Sequence, residues 1–190
     1  RYEKFGRSYH PPLLIRRIEP LHGRPRITVR MRPVFDYGAT LPTITMGSNH
    51  MRYNGSSATL RVTTDVPLAY ISEEAEFVLD RRLHLFIGSD ETVPDNLDTL
   101  TTGSLMETEM YWLGWVRGLS IPFEWQEEVI RSAIALKLCS YEDTGAIVAA
   151  LTTSIPEAPR TTRNWDYRYC WLRDSYFVVG ALNRLGATRT

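Results

Sequence analysis

The feature that most constrains the fold is a change in the spacing of apolar residues near Asp90. Ahead of it, short runs alternate apolar and polar residues, as in Ile27, Val29 and Met31. A period of two places successive side chains on opposite faces of a strand. After Asp90 the apolar residues recur at the spacing of a helix, which puts them on one helical face. The sequence therefore predicts a β region followed by a helical region.

The β region contains many short candidate strands separated by Gly, Pro and Asn. Strands are predicted at 13–19, 26–33, 43–46, 58–63, 68–79 and 83–87. Many short strands with turn residues between them are typical of a β-sandwich. Arginines alternate with apolar residues in this part of the chain, so we expect them on the solvated face of the sheet.

The helical region shows start and stop signals. Ser104–Glu107 has the spacing of a capping box and Gly118 suits a helix end, which predicts a first helix between them. Pro122 favours the start of a second helix, and the last helix is predicted over 174–185. Pro94-Asp95-Asn96 is interpreted as a linker.

The composition excludes some partners. The 190 residues are 43% apolar and 23% charged, as in a globular protein, and no apolar run is long enough to span a membrane. The first 61 residues carry eleven Lys or Arg against three acids. Because these arginines follow the strand pattern, we expect no nucleic-acid partner. No leader peptide is visible, which favours a cytoplasmic location; secretion stays open because the chain starts at Arg1 rather than Met.

The two cysteines, Cys139 and Cys170, lie far apart in the sequence. Zinc sites usually show Cys or His pairs at short spacing. We therefore expect no metal and no cofactor, and two buried free thiols, with a single disulfide as the alternative.

Residues 163–174 carry the chemistry. They read Arg-Asn-Trp-Asp-Tyr-Arg-Tyr-Cys-Trp-Leu-Arg-Asp and hold four aromatic residues within seven positions. Aromatic rings pack on the C–H faces of a sugar, and charged groups make strong hydrogen bonds to its hydroxyls. The alternative is a cluster of ion pairs that fixes a loop to the following helix.

The segments 138–159 and 163–174, together with Phe-Asp-Tyr-Gly at 35–38, resemble glycoside hydrolase family 15. That family contains glucoamylases, glucodextranases and microbial trehalases. The resemblance implies later strands of a super-β-sandwich at 1–93, a helical linker at 94–121 and the first helices of an (α/α)6 barrel at 122–190. It also implies that the chain is an internal part of a longer polypeptide.

The resemblance assigns roles within the motif. Arg173 and Asp174 match a pair that holds the hydroxyls of the terminal glucose, Tyr167 matches a residue beside the reacting centre, and Trp171 matches a wall of the pocket. Trp165, Asp166 and Arg168 are expected to contact these sugar-binding side chains rather than the sugar itself. Asp166 could equally be no more than the ion-pair partner of Arg168.

The resemblance implies an inverting exo-acting hydrolase that releases glucose from α-glucans. Inversion requires a general acid and a general base, two carboxyl groups roughly 6.5–9.5 Å apart. The family's two glutamates are expected beyond residue 190, so we expect no catalytic carboxylate in this chain. Acids in or near loops that match no family motif are Glu142, Asp143 and Glu157, and Glu124, Glu127 and Glu128 suit the start of a helix. The alternatives are a trehalase of the same family and a non-catalytic carbohydrate-binding fragment.

Overall fold

The first ninety residues form antiparallel strands in the computed structural model, which describes residues 2–4, 7–93, 96–152, 158 and 160–187. The strands are β1 (Tyr2–Lys4), β2 (Arg7–Tyr9), β3 (Leu13–Ile18), β4 (Arg26–Thr28), β5 (Thr43–Met46), β6 (His50–Asn54), β7 (Thr59–Thr64), β8 (Glu76–Val78) and β9 (Leu83–Gly88). Five of them form one sheet in the order β3-β9-β7-β6-β5, while β1 pairs with β2 and β4 pairs with β8.

The chain divides into two units, residues 1–111 and 112–190. The boundary falls inside helix α2 (Leu97–Arg117). The boundaries at 93 and 121 that the resemblance implies stay predictions.

The core of the first unit lies on one face of the five-stranded sheet. Met51, Val62 and Leu85 come from three adjacent strands and are almost completely buried. The β4–β8 pair and the short helix α1 (Leu68–Ser72) contribute Ile27, Phe77 and further apolar side chains to the same core. Two layers of antiparallel strand that share an apolar core agree with the predicted sandwich.

The opposite face of the sheet is more polar and borders the first turns of α2. His84 of β9 is buried, and its Nδ1 lies 2.9 Å from a carboxylate oxygen of Asp65. Its Nε2 lies 3.2 Å from Asp98 of α2, which also accepts a hydrogen bond from Arg82. These contacts attach the start of α2 to the sheet.

Two strand predictions were wrong in extent. Residues 68–79 contain helix α1 and only a three-residue strand, because Glu74 has a φ of 51° that ends any regular element. The strand predicted over 26–33 ends at Thr28, where its partner β8 begins at Glu76.

The expectation for the arginines was confirmed for Arg26 of β4 and wrong for Arg61 of β7. Arg26 is exposed and pairs with Glu76; Arg30 and Arg32 are also exposed and pair with Glu74, but they lie beyond the end of β4. Arg61 is buried, with only 7% of its side chain exposed. It lies on the central strand β7 beside residues of β3, β9 and α2 that line the same cleft, and Asp90 compensates its charge.

The helix starts also differ from the predictions. Helix α2 begins at Leu97 rather than Ser104, because Asn96 Oδ1 accepts a hydrogen bond from the backbone N–H of Thr99 and so caps the helix. The predicted end at Gly118 is confirmed. Pro94 and Asp95, part of the predicted linker, lie outside the described residues.

The second unit contains helix α3 (Gln126–Leu138), the hairpin strands β10 (Ser140–Tyr141) and β11 (Ala146–Ile147), and helix α4 (Leu172–Arg184). Helix α3 begins at Gln126 and not at Pro122, because Trp125 has a φ of 60° that a right-handed helix does not allow. Helix α4 ends ahead of Gly186, whose φ of 70° lets the N–H of Ala187 donate to Leu182 O. None of the described helices is long and apolar enough to cross a membrane.

Candidate functional site

The aromatic and charged segment is attached to the hairpin by backbone hydrogen bonds. Val148 N–H donates to Cys139 O, and Val148 pairs as an antiparallel bridge with Cys170. Ala149 N–H donates to Tyr169 O, and Ala150 N–H donates to Tyr167 O at 2.8 Å. The extended hairpin therefore holds the segment like an added strand, which local sequence patterns could not predict.

The same pairing keeps the two cysteines apart. Both are free, and each flanks Val148 on a different side. Cys139 and Cys170 are separated by two strand spacings of about 4.8 Å each. Their combined length exceeds the Cα separation of about 4.4–6.8 Å that a disulfide needs. The expectation of free thiols is confirmed, but neither is fully buried: Cys139 is half-buried and Cys170 is exposed. The hydrogen bond between Cys170 and Ser175, aided by one with the backbone of Ile147, lowers the pKa of Cys170, while burial raises the pKa of Cys139.

Asp166 and Arg168 form a tight turn ahead of the helix. Arg168 Nη2 donates to Asp166 Oδ2 at 2.6 Å, and both its Nε and its backbone N–H donate to Oδ1 at 3.0 Å. The side-chain hydrogen bonds from Arg168, aided by its backbone N–H, lower the pKa of Asp166 to about 2. Asp166 is therefore the ion-pair partner of Arg168, and the turn that they form carries Tyr167.

The rings of Trp165 and Tyr167 both contact the indole ring of Trp171. Its ring centroid lies 6.2 Å from that of Trp165, edge to face, and 6.0 Å from that of Tyr167. Trp171 Nε1 donates to Asp166 O at 3.2 Å, which fixes the indole over the turn. Trp165 is 49% exposed, so the cluster offers open aromatic surface of the kind that packs on a sugar ring.

Arg173 and Asp174 lie in the first turn of α4. Trp171 is the N-cap residue, and its carbonyl accepts the N–H of Ser175. Asp174 is therefore near the positive end of the helix dipole, as the sequence predicted. The Arg173 side chain is 78% exposed, and its Nε lies 3.6 Å from Asp174 Oδ2, which is too long for a hydrogen bond.

Asp174 Oδ2 is the unusual atom of the site. This oxygen is buried and within the described residues has no hydrogen-bond partner, although the Asp174 side chain as a whole is 32% exposed and the Arg173 guanidinium lies nearby. A buried polar atom without a partner is uncommon in native proteins and calls for a physical reason. An acceptor kept free for a ligand hydroxyl is one such reason. No described hydrogen bond or ring contact joins this pair to Tyr167 or Trp171, so a ligand would have to bridge the two groups.

The other acids that the sequence singled out in this unit differ in their surroundings. Glu142 lies 2.7 Å from Lys137 Nζ, and both side chains are largely buried, which makes Glu142 the counter-charge of a buried lysine. Glu127 and Glu128 occupy the first turn of α3, as expected of helix-stabilising acids. Glu157 lies outside the described residues. Among the residues that the structure describes, no cluster of His, Cys, Asp or Glu could hold a metal.

Comparison with known proteins finds a matching family model and several relatives. The family model described as Glycosyl hydrolases family 15 matches residues 125–190, which include the whole aromatic and charged segment. The chain is 33% identical over 165 residues to the trehalase of Thermoplasma volcanium, covering 84% of this chain and 26% of that protein. It is 33% identical over 195 residues to the trehalase of Mycobacterium tuberculosis, covering 93% of this chain and 28% of that protein.

A third relative, the trehalase of Thermoplasma acidophilum, is 31% identical over 183 residues, with 94% of this chain and 32% of that protein covered. The chain thus spans about a quarter to a third of the length of these curated relatives. No solved structure matches it significantly. The strands, the helices and the aromatic segment, with these similarities, place the chain among the glycosyl hydrolases. Within that class it belongs to family 15.

Proposed function

We propose that the protein hydrolyses an α-glucoside and that Arg173, Asp174 and the ring cluster around Trp171 bind its glucose ring. The observation that carries this proposal is Asp174 Oδ2, a buried carboxylate oxygen with no hydrogen bond among the described residues. A carboxylate can accept hydrogen bonds from two neighbouring sugar hydroxyls, and a guanidinium can donate to sugar oxygens from its planar fork.

The aromatic side chains would complete the contact. Trp165 and Trp171 meet edge to face, and about half of Trp165 is exposed to solvent. Tyr167 lies on the Asp166–Arg168 turn, which holds it beside Trp171. Its electron-rich ring would stabilise positive charge as the glycosidic bond breaks. Asp166 and Arg168 would act by positioning these rings.

We place α,α-trehalose first among the substrates and α-1,4-glucans second. The three relatives described above are named trehalases, and two of them align with more than nine-tenths of this chain. This order differs from the glucoamylase-like activity placed first by the sequence motif. The residues that make the enzyme specific for one of these substrates would contact the second sugar. None of the motif residues is assigned to that second sugar.

The chemistry would be inversion at the anomeric carbon. One carboxylic acid protonates the leaving oxygen, and one carboxylate activates a water on the opposite face of the ring. Asp166 and Glu142 are tied to basic partners, and Asp174 is assigned to sugar hydroxyls. We therefore place the general acid and base outside this chain. The architecture that goes with this proposal is a super-β-sandwich, a linker and an (α/α)6 barrel.

The experiment follows sugar hydrolysis by the complete protein with proton NMR. Inversion of trehalose should release one β-glucose and one α-glucose, while maltose should release β-glucose from its non-reducing end. The isolated chain of 190 residues should release no glucose. Glucose release by the isolated chain, lost on replacing one of its own acids, would contradict our placement of the catalytic carboxylates.

The same experiment separates the enzyme from a non-catalytic binder. A complete protein that binds trehalose or maltose without hydrolysing it, and loses binding in Asp174→Asn, would be a carbohydrate-binding protein. If the complete protein neither binds nor hydrolyses trehalose or maltose, the proposed function is refuted.

A further inference from the structure

A cleft of about 260 Å³ lies wholly in the first unit. Its lining comes from β3, β7, β9, the segment after β9 and helix α2. None of the residues assigned to the glucose site takes part in it. Ligand pockets of drug-sized molecules measure about 300–1,000 Å³, so this cleft suits a ligand no larger than one or two rings.

Arg61 forms a charged part of the lining, although 93% of its side chain is removed from solvent. Within the described part of the chain its guanidinium makes two hydrogen bonds. Nε donates to Thr63 Oγ1 at 3.1 Å, and Nη1 donates to Asp90 Oδ1 at a long 3.5 Å. A guanidinium has five N–H groups, and buried donors normally find acceptors. The remaining donors of Arg61 are therefore available to a molecule in the cleft.

The charges around the cleft cancel. Asp90 also accepts a hydrogen bond from Arg52 Nε at 2.7 Å, so one carboxylate lies between two guanidinium groups. Glu91 lines the cleft and supplies the second negative charge. Burial and the two nearby arginines lower the pKa of His50, which keeps that imidazole neutral at neutral pH. A balanced set of charges favours a neutral ligand over an anion, because an anion would be repelled by Glu91.

The rest of the lining supplies the other groups that a neutral polyol needs. Phe86 and Leu13 present apolar surface, while Ser89 and Ser104 present hydroxyl groups. Glu91 can accept hydrogen bonds from ligand hydroxyls, and Arg61 can donate to ligand oxygens. Apolar surface with charged donors and acceptors on either side is the combination that binds a pyranose ring.

We propose that this cleft is a second carbohydrate site, which binds a single neutral pyranose between Arg61 and helix α2. It is independent of the glucose site proposed in the second unit. Its affinity would be weak, on the order of millimolar, because one ring makes few contacts.

The test uses methyl NMR spectra of the chain titrated with glucose. The methyl groups of Leu13 and Leu100 line the cleft and report its occupancy. Ser104→Phe fills the cleft from α2 without removing a charged group. Thr102→Phe is the matched control, because Thr102 lies on an exposed part of the same helix. Both methyl groups should show saturable shifts in the wild type and in Thr102→Phe, and binding should be at least about tenfold weaker in Ser104→Phe.

Asp174→Asn should leave the shifts of both leucines unchanged, which separates this cleft from the other site. The proposal is refuted if glucose causes no saturable shift at Leu13 and Leu100, or if Ser104→Phe binds as the wild type does. It is equally refuted if sulfate, and not glucose, produces the shifts, since the cleft would then be an anion site.

Discussion

Replacing Asp174 by Asn in the complete protein separates a sugar-binding carboxylate from a structural one. The change keeps the side-chain size and removes the charge. A charged hydrogen bond contributes about 1.5–3 kcal/mol, so two bonds to sugar hydroxyls correspond to about 3–6 kcal/mol. At about 1.4 kcal/mol per decade, kcat/KM should fall by about 10²–10⁴-fold.

The structural contribution of Asp174 is much smaller. No side-chain cap hydrogen bond is formed at the start of α4, and Oδ2 has no hydrogen-bond partner among the described residues. What remains is the helix dipole, about 0.3–1 kcal/mol, and an exposed contact with Arg173 of at most about 1 kcal/mol. The melting temperature should therefore fall by only a few degrees.

The assay measures kcat/KM on trehalose and on maltose, together with thermal unfolding. Glu128→Gln is the matched control, because Glu128 is an exposed acid in the first turn of α3. It should lose the same dipole contribution and retain activity. If Asp174→Asn keeps near wild-type kcat/KM and melts earlier, Asp174 is structural and the site assignment is wrong.

Four further changes test other parts of the molecule. Arg173→Lys should lower kcat/KM at least about tenfold with the fold retained, because an ammonium lacks the planar fork of donors; wild-type activity would argue against sugar contact. Asp166 has a lowered pKa of about 2, so its stabilising effect is present above its unfolded pKa of about 4 and is lost as the pH falls towards 2; tryptophan fluorescence should change in that window, and Asp166→Asn should lack the change. Met51→Ala should destabilise the first unit by about 2–5 kcal/mol in urea, because Met51 is 1% exposed; a cost under about 1 kcal/mol would contradict the described core. Glu142→Gln should cost about 3–5 kcal/mol by leaving the buried Lys137 unpaired, and the double change with Lys137→Met should recover most of that loss.

The sequence alone determined the change from strand to helix near Asp90 and singled out one chemically unusual segment. Alternation at Ile27 and Val29 predicted strand, and the spacing of apolar residues after Asp90 predicted helix. The segment 163–174 was identified because its aromatic and charged residues fit neither an ordinary core nor an ordinary loop. These features depend on neighbours a few residues apart, which a linear sequence displays directly.

Only the tertiary structure decided which side chains are buried and which segments meet. Arg61 follows the same alternation as the exposed Arg26, yet it is buried beside residues of β3, β9 and α2 and pairs with Asp90, 29 residues away. The bond from Ala150 to Tyr167 and the bridge from Val148 to Cys170 likewise join distant segments. Burial and strand pairing depend on partners far along the chain, and local periodicity contains no information about those partners.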